Sequence, residues 1–145
     1  MPEEANVGLL MFIAYRAMEK RVLDAVVEAG FDITPAQMRV FQRIGPNGTR
    51  LGELAEQAQV TKQTAGFLVD QLELAGYVQR VPDPADARAR LVRIAERGRE
   101  AIPIAASVVA DVEAEWTAHL GQRGMAHLRA ALTRLREITD PYAQR

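Results

Sequence analysis

Apolar residues recur every three or four positions near both ends of the chain. Residues 5–29, 98–120 and 125–138 each show this spacing, which places apolar side chains on one stripe of an amphipathic helix. Residues 121–124 begin and end with glycine and interrupt the pattern. We therefore predict one long helix near the N-terminal end and two helices near the C-terminal end. Pro103 should kink the first of these two or mark a late start for it.

The middle of the chain carries shorter helical patterns that are separated by turn residues. Thr34 can cap the first of these helices, with Pro35 at its first position and Gln37 placed to complete a capping box. A short helix follows over residues 51–58. The next helix begins after Thr61, whose side chain can accept a hydrogen bond from an amide of the first turn.

The helix after Thr61 has an apolar face and an opposite, outward face. The apolar stripe contains Ala65, Leu68, Val69 and Leu72. The outward face presents Gln63, Gly66, Phe67 and Asp70. Gly76 ends this helix. Two helices joined by a tight turn, over residues 49–76, are typical of a helix-turn-helix.

Residues 77–95 predict a β-hairpin with a basic tip. Two short apolar-bearing runs enclose prolines, acidic turn residues and arginines, in the order YVQRVPDPADARARLVRIA. A narrow minor groove of DNA concentrates negative potential and favours an inserted guanidinium, such as that of Arg88. Such a hairpin after a helix-turn-helix predicts a mainly α fold with a small β-hairpin wing, a winged helix-turn-helix that grips duplex DNA.

The apolar stripes of the first helix and the last two helices exceed what a compact winged helix can cover. A twofold dimer in which both chain ends interdigitate would bury these stripes, and twofold dimers are the commonest oligomers. We therefore expect these helices to form a dimerisation region. The alternative is that they pack within one chain as a plain bundle.

Composition excludes several classes of protein. The 145 residues suit one domain, and 48% apolar with 26% charged residues fits a globular chain. The apolar run over residues 7–18 is too short to span a bilayer and the start is acidic, so we expect a cytoplasmic protein with no membrane contact. The chain has no cysteine, and its two histidines form no catalytic or metal-binding motif. We therefore expect no enzyme, cofactor or metal site.

In their order and spacing, these segments resemble the MarR family of winged helix-turn-helix transcription regulators. The likeness is carried by residues 34–37 (TPAQ), 53–56 (ELAE), 68–73 (LVDQLE) with Gly76, and 83–88 (DPADAR). The resemblance implies a single domain over residues 1–145, with a DNA-binding unit over residues 34–98 and dimerisation helices over residues 5–29 and 99–139. It also implies a homodimer that binds a pseudo-palindromic operator as a repressor, and a small aromatic or phenolic effector that releases it.

The predicted DNA-binding residues lie at the start of the helix after the turn and on the wing. They are Thr61, Lys62, Gln63, Thr64, Gly66, Phe67, Asp86, Arg88 and Arg90. Lys62 is placed for a phosphate, while Gln63 and Thr64 can reach base edges in the major groove. The resemblance implies that Arg88 enters the minor groove and that Asp86 orients it.

Several of these residues have a second interpretation. Thr64 could only support the first helical turn, and Arg90 could be a solvated strand residue instead of a phosphate contact. Gly66 could permit close approach to DNA or be a flaw in the helix. The Phe67 ring could meet thymine methyl groups or pack against its own wing. With Leu74, Phe67 also suggests the runner-up function, a winged-helix module that binds protein without specific DNA binding.

The resemblance places an effector pocket where the dimerisation helices meet the DNA-binding unit. The candidate residues by position are Phe12, Tyr15, Arg16, Met38, Phe41, Ile104 and Val108. The apolar members could equally be plain core. Arg16 stands inside an apolar stripe, where it could hold a carboxylate or phenolate, or extend to water.

Overall fold

The computed structural model describes residues 4–143, so the ends of the expected domain, residues 1–3 and 144–145, lie outside the described residues. Its elements in chain order are α1 (Val7–Glu28), α2 (Pro35–Phe41), β1 (Thr49–Arg50), α3 (Leu51–Ala58), α4 (Lys62–Leu74), β2 (Val78–Asp83), β3 (Asp86–Ile94) and α5 (Glu96–Thr139). This is the mainly α winged helix-turn-helix that the sequence predicts. The hairpin of β2 and β3 is called the wing below.

Helix α5 consists of two helical parts, as the sequence predicts. Gly121 has φ 81° and ψ 159°, which ends the first part at residue 120 and lets the second run over residues 122–139. The break therefore contains one residue and is narrower than the predicted break over residues 121–124. Because α5 begins at Glu96, Pro103 lies inside the first part, and the expectation that it marks a late start was wrong.

The helix ends follow the local signals in the sequence. Thr34 and Gln37 form the predicted capping box, with the Gln37 amide 3.2 Å from Thr34 Oγ1 and the Thr34 amide 3.1 Å from Gln37 Oε1. Gly76 has φ +87° directly after the α4 cap, a conformation that favours glycine. Gln59 adopts φ 59° in the turn between α3 and α4.

The sheet has three antiparallel strands in the order β1-β3-β2, so the predicted two-stranded hairpin is incomplete. The added strand, β1, is only two residues long and pairs Thr49 with Val92 and Arg50 with Leu91. A strand this short shows no alternating pattern that sequence reasoning can detect. Its place at the edge fixes the wing to the start of α3.

The core lies where α2, α3 and α4 meet the base of the wing. The largest fully buried side chains are those of Tyr77, Leu54, Leu72, Val40, Val69, Val78 and Val92. All four residues of the predicted α4 stripe are buried, which confirms that face assignment. The outward face of α4 is thereby fixed as well, since the helix cannot rotate without exposing this stripe.

A large apolar surface remains exposed on α1, at the end of the first part of α5 and on its second part. Its exposed members are Val7, Leu10, Met11, Phe12, Ile13, Leu120, Leu132, Leu135 and Ile138. Exposed apolar patches of this kind mark interaction surfaces. Among the described residues, no helix is both long enough and apolar enough to cross a membrane.

Candidate nucleic-acid interface

The exposed N-terminal turn of α4 brings four of the predicted DNA-binding residues together. Thr61 Oγ1 accepts a hydrogen bond from the Thr64 amide at 3.0 Å and lies 2.9 Å from Thr64 Oγ1. Thr64 therefore takes part in the cap, which supports the view that it stabilises the first turn. Lys62 and Gln63 are exposed and extend from the same turn. They are the side chains of this turn best placed to reach DNA.

Gly66 and Phe67 lie on different sides of α4. Phe67 is 62% exposed, which favours an external contact over packing against the wing. Gly66 is half-buried, and a Cβ added there would lie 3.7 Å from Leu51 Cδ2 of α3. Gly66 thus lies on the flank of α4 that faces α3, so placing it on the outward face was wrong.

Arg88 extends from the tip of the wing with its side chain 95% exposed. Asp86 Oδ1 accepts a hydrogen bond from the Arg88 amide at 3.0 Å and lies 3.8 Å from Arg88 Nε. The acid therefore stands beside the arginine, where it can bias the direction of the guanidinium. Ala87, between them, adds no second charge to the tip.

A groove between α3, α4 and the wing gathers basic side chains behind the tip. The basic residues that line it are Arg50, Lys62, Arg80 and Arg90. Glu53 and Glu56 line it as well, so the charge is mixed. Arg90 thus faces the same groove as Lys62, a position that suits a phosphate contact more than an isolated solvated residue.

Arg80 joins the wing to α4, a contact that sequence reasoning missed. Its side chain is 13% exposed and forms ion pairs with Asp70 at 2.8 Å and with Glu73 at 2.9 Å. The Arg80 amide also donates to Glu73 at 2.9 Å, and this hydrogen bond is the main cause that lowers the pKa of Glu73. Asp70 is therefore engaged by the wing. Two acids one turn apart on α4, followed by an arginine in β2, are the signal that could have found this contact.

A second arginine, Arg50, forms an ion pair that stabilises the tip of the wing. Arg50 Nη2 lies 2.7 Å from Oδ2 of the buried Asp83, and Asp83 Oδ1 accepts the Ala85 amide at 2.9 Å. These hydrogen bonds, the one from Ala85 first, hold the pKa of Asp83 below its ordinary value. The tip that carries Arg88 is consequently tied to β1 and to the start of α3.

A cavity of about 390 Å³ lies between α1, α2 and the first part of α5. Of the seven candidate effector residues, it is lined by Tyr15, Met38 and Phe41. The other four, Phe12, Arg16, Ile104 and Val108, are not among its lining residues. The Arg16 guanidinium instead lies 5.8 Å from the Phe12 ring centroid, and its Nε lies 3.3 Å from Glu19 Oε1.

The cavity wall contains a buried carboxylate that sequence reasoning missed. Glu19 is 4% exposed and accepts hydrogen bonds from Arg39 Nε at 2.7 Å and from Arg39 Nη2 at 2.8 Å. The hydrogen bonds from Arg39 are the main cause that lowers the pKa of Glu19. The pair joins α1 to α2 and so connects the long N-terminal helix to the DNA-binding unit.

Comparison with known proteins agrees with this geometry. The profile of the MarR family matches residues 31–89. Among solved structures, a transcriptional regulator of Thermotoga maritima, Tm0710, is 30% identical with a TM-score of 0.59, covering 90% of each chain. A structure of MarR is 25% identical with a TM-score of 0.75, covering 92% of this chain and 96% of that one. This chain belongs to the MarR family of transcriptional regulators.

Curated relatives share shorter segments with this chain. The HTH-type transcriptional regulator YybA of Bacillus subtilis is 30% identical over 91 residues, which is 60% of this chain and 61% of that protein. The activators ExpG of Rhizobium meliloti and BadR of Rhodopseudomonas palustris are 30% and 40% identical, over 48% and 37% of this chain. The matches span 36% of ExpG and 30% of BadR. The chain thus covers less than two thirds of each curated relative.

Another of the solved structures that share the fold contains DNA. The transcriptional repressor CouR, bound to a 23-mer DNA duplex, is 24% identical with a TM-score of 0.70, covering 90% of this chain and 92% of that one. An identity this low shows the fold alone.

Proposed function

We propose that this protein is a homodimeric repressor that binds a pseudo-palindromic operator and is released by a small aromatic or phenolic effector. The observation that carries the proposal is the joint exposure of the α4 N-terminal turn and of Arg88. Arg80 fixes the relation between them, because it links the wing to Asp70 and Glu73 of α4. Two exposed DNA-reaching elements at a fixed spacing suit adjacent grooves of one duplex.

In this proposal, α4 enters the major groove and the wing reaches the neighbouring minor groove. Lys62 neutralises a phosphate and Gln63 reads a base edge. Phe67 meets the methyl group of a thymine, since apolar side chains recognise that group. Arg88 enters the minor groove, where its guanidinium meets the concentrated negative potential of a narrow groove.

The exposed apolar surface on α1 and the second part of α5 supports the homodimer. A second copy of the chain would cover this surface with the same surface, as a twofold interface requires. The 23-mer duplex bound by CouR is long enough for two half-sites one helical turn apart. A dimer that occupies a promoter blocks polymerase without needing any further surface, which is why we propose repression.

Sedimentation and footprinting test the dimer. We expect a sedimenting dimer, and protection of two symmetric half-sites about one turn apart on DNA upstream of the gene. Ile138→Glu, which places a charge at a residue 85% exposed in the apolar surface, should shift the protein toward monomer. Leu74→Glu is the matched control on α4, 92% exposed, and should remain dimeric. A single unsymmetric protected site would contradict the proposal.

A second candidate function is a module that binds protein through α4. It is favoured by the exposure of Phe67 and Leu74, which are 62% and 92% exposed on the recognition helix α4. Binding through such apolar contacts depends weakly on salt, whereas DNA binding falls steeply as salt rises. Salt dependence therefore separates the two functions.

A further inference from the structure

We propose that the cavity between α1, α2 and α5 binds an uncharged apolar molecule and rejects carboxylates, because the charged side chain in its wall is that of Glu19. The inference rests on the proposed function, which supplies the role of an effector. Of the two interpretations of Arg16, it excludes the one in which this side chain holds a carboxylate or phenolate in the cavity.

The lining of the cavity is apolar apart from three side chains. Tyr15, Glu19 and Gln42 contribute the polar atoms, and among the described residues no lysine, arginine or histidine lines the cavity. Gln42 Nε2 donates to the Tyr15 hydroxyl at 3.2 Å, so these two side chains satisfy each other in part. Burial raises the pKa of Tyr15, so this phenol stays neutral. An uncharged ring with one hydroxyl group fits such a wall.

A carboxylate ligand has no counter-charge in this wall. The two oxygens of Glu19 are held by Arg39 at 2.7 and 2.8 Å, and the guanidinium itself does not line the cavity. An anion entering the cavity would lose its water and meet the negative end of this pair. An uncharged ligand loses little hydration and gains the apolar contacts.

Arg16 does not supply the positive charge that a carboxylate ligand would need. Its side chain is 48% exposed, and its Nε is already paired with Glu19 Oε1 at 3.3 Å. It also lies against the exposed ring of Phe12, outside the cavity lining. Its charge is therefore directed at Glu19 and at solvent, and Arg16 contributes no atom to the cavity wall.

Calorimetric titration of the full chain with 2-naphthol and with 2-naphthoate tests the proposal. The two probes share one ring system, and near pH 7 the naphthol stays protonated while the carboxyl group ionises. We expect 2-naphthol to bind about tenfold more tightly or better. Equal or tighter binding of 2-naphthoate would overturn the proposal, and so would the failure of 2-naphthol to bind.

Two variants identify the cause and the place of the selectivity. Glu19→Gln leaves Arg39 and Arg16 without their acid, so 2-naphthoate should gain about tenfold relative to 2-naphthol. Glu115→Gln, which removes an exposed acid that pairs with Arg21, is the matched control and should leave the ratio unchanged. An unchanged ratio in Glu19→Gln would contradict the role of the carboxylate.

Ala106→Leu tests the cavity as the binding site even if the Glu19 variant fails to fold. Ala106 is an exposed residue that lines the cavity, so a larger side chain should fill space there without disturbing the core. We expect weaker 2-naphthol binding by about tenfold, and unchanged affinity would place the site elsewhere. DNA binding is measured separately without probe, so a protein that binds DNA but shows no selectivity refutes only this inference.

Discussion

Replacing Gly98 with alanine tests how closely the first turn of α5 approaches the wing and α2. Gly98 is buried, and an added Cβ would lie 2.5 Å from the Tyr77 carbonyl oxygen. It would also lie 2.9 Å from Phe41 Cε2 and 3.0 Å from Ile94 Cγ2. The three neighbours belong to three different parts of the fold, so no single small movement relieves the contacts.

Two effects of opposite sign compete in Gly98→Ala. Alanine stabilises a helix interior by about 0.5–1 kcal/mol relative to glycine. Forcing extra volume into a packed site costs about 1–3 kcal/mol. The Tyr77 oxygen also accepts the Ala95 amide at 2.9 Å, so it cannot retreat without losing that hydrogen bond. The steric cost therefore wins, and we expect a net loss of about 1–2 kcal/mol in the free energy of unfolding.

Urea unfolding followed by circular dichroism, at one fixed protein concentration, measures this change. The matched control is Gly52→Ala in α3, where an added Cβ meets nothing within 4 Å. This variant should gain about 0.5–1 kcal/mol, since only the helix propensity changes. A Gly98→Ala protein as stable as the wild type, or a control that shifts the same way, would refute the reasoning.

Three further changes follow from the structure. Gly66→Ala should add up to about 1 kcal/mol of stability and leave DNA affinity within about twofold, because its Cβ would meet Leu51 at an ordinary 3.7 Å. Weaker DNA binding by this variant would show that Gly66 contacts DNA. Thr34→Ala should cost about 1 kcal/mol in urea unfolding by removing the capping box, and no loss would contradict the cap. Hydrogen bonds from Arg136 first, and then from the Tyr142 amide, lower the pKa of Asp140 from 3.8 to about 2. The ionised Asp140 carboxylate therefore stabilises the fold fully above the pKa of the unfolded chain, and this stabilisation is lost as pH falls through the folded pKa. The stability difference between the wild type and Asp140→Asn should therefore be largest near pH 6 and shrink toward pH 2, and a constant difference would rule out the ionised carboxylate as the cause.

The sequence predicts the elements whose signals are local. Thr34 with Gln37, Thr61 and Gly76 set helix ends within a few residues of themselves, and each is found where the pattern indicates. The buried stripe of α4 follows from helical spacing, because the apolar side chains must face the core. The exposed position of Arg88 follows in the same way from the turn chemistry of residues 83–86.

Contacts between distant segments are what the sequence pattern leaves out. Glu19 stands beside Arg16 and Lys20 and has the pattern of a solvated residue, yet Arg39, twenty residues further on, buries it. The pairing of Arg80 with Asp70 and Glu73 likewise depends on how the wing folds back onto α4. Gly66 was misplaced because its spacing puts it at the edge of the outward face, and only the position of α3 decides which side it meets.

In the proposed function, α4 and the wing together bind DNA. Fluorescence anisotropy of labelled DNA from upstream of the gene, titrated with protein at several salt concentrations, tests it most directly. We predict that log affinity falls linearly with log salt, by a slope of about 0.9 for each phosphate contact. Arg88→Ala should weaken binding by about tenfold or more, whereas Arg123→Ala, an exposed arginine near Gly121, should not. Salt-independent binding, or an Arg88→Ala protein that binds like the wild type, would contradict the account.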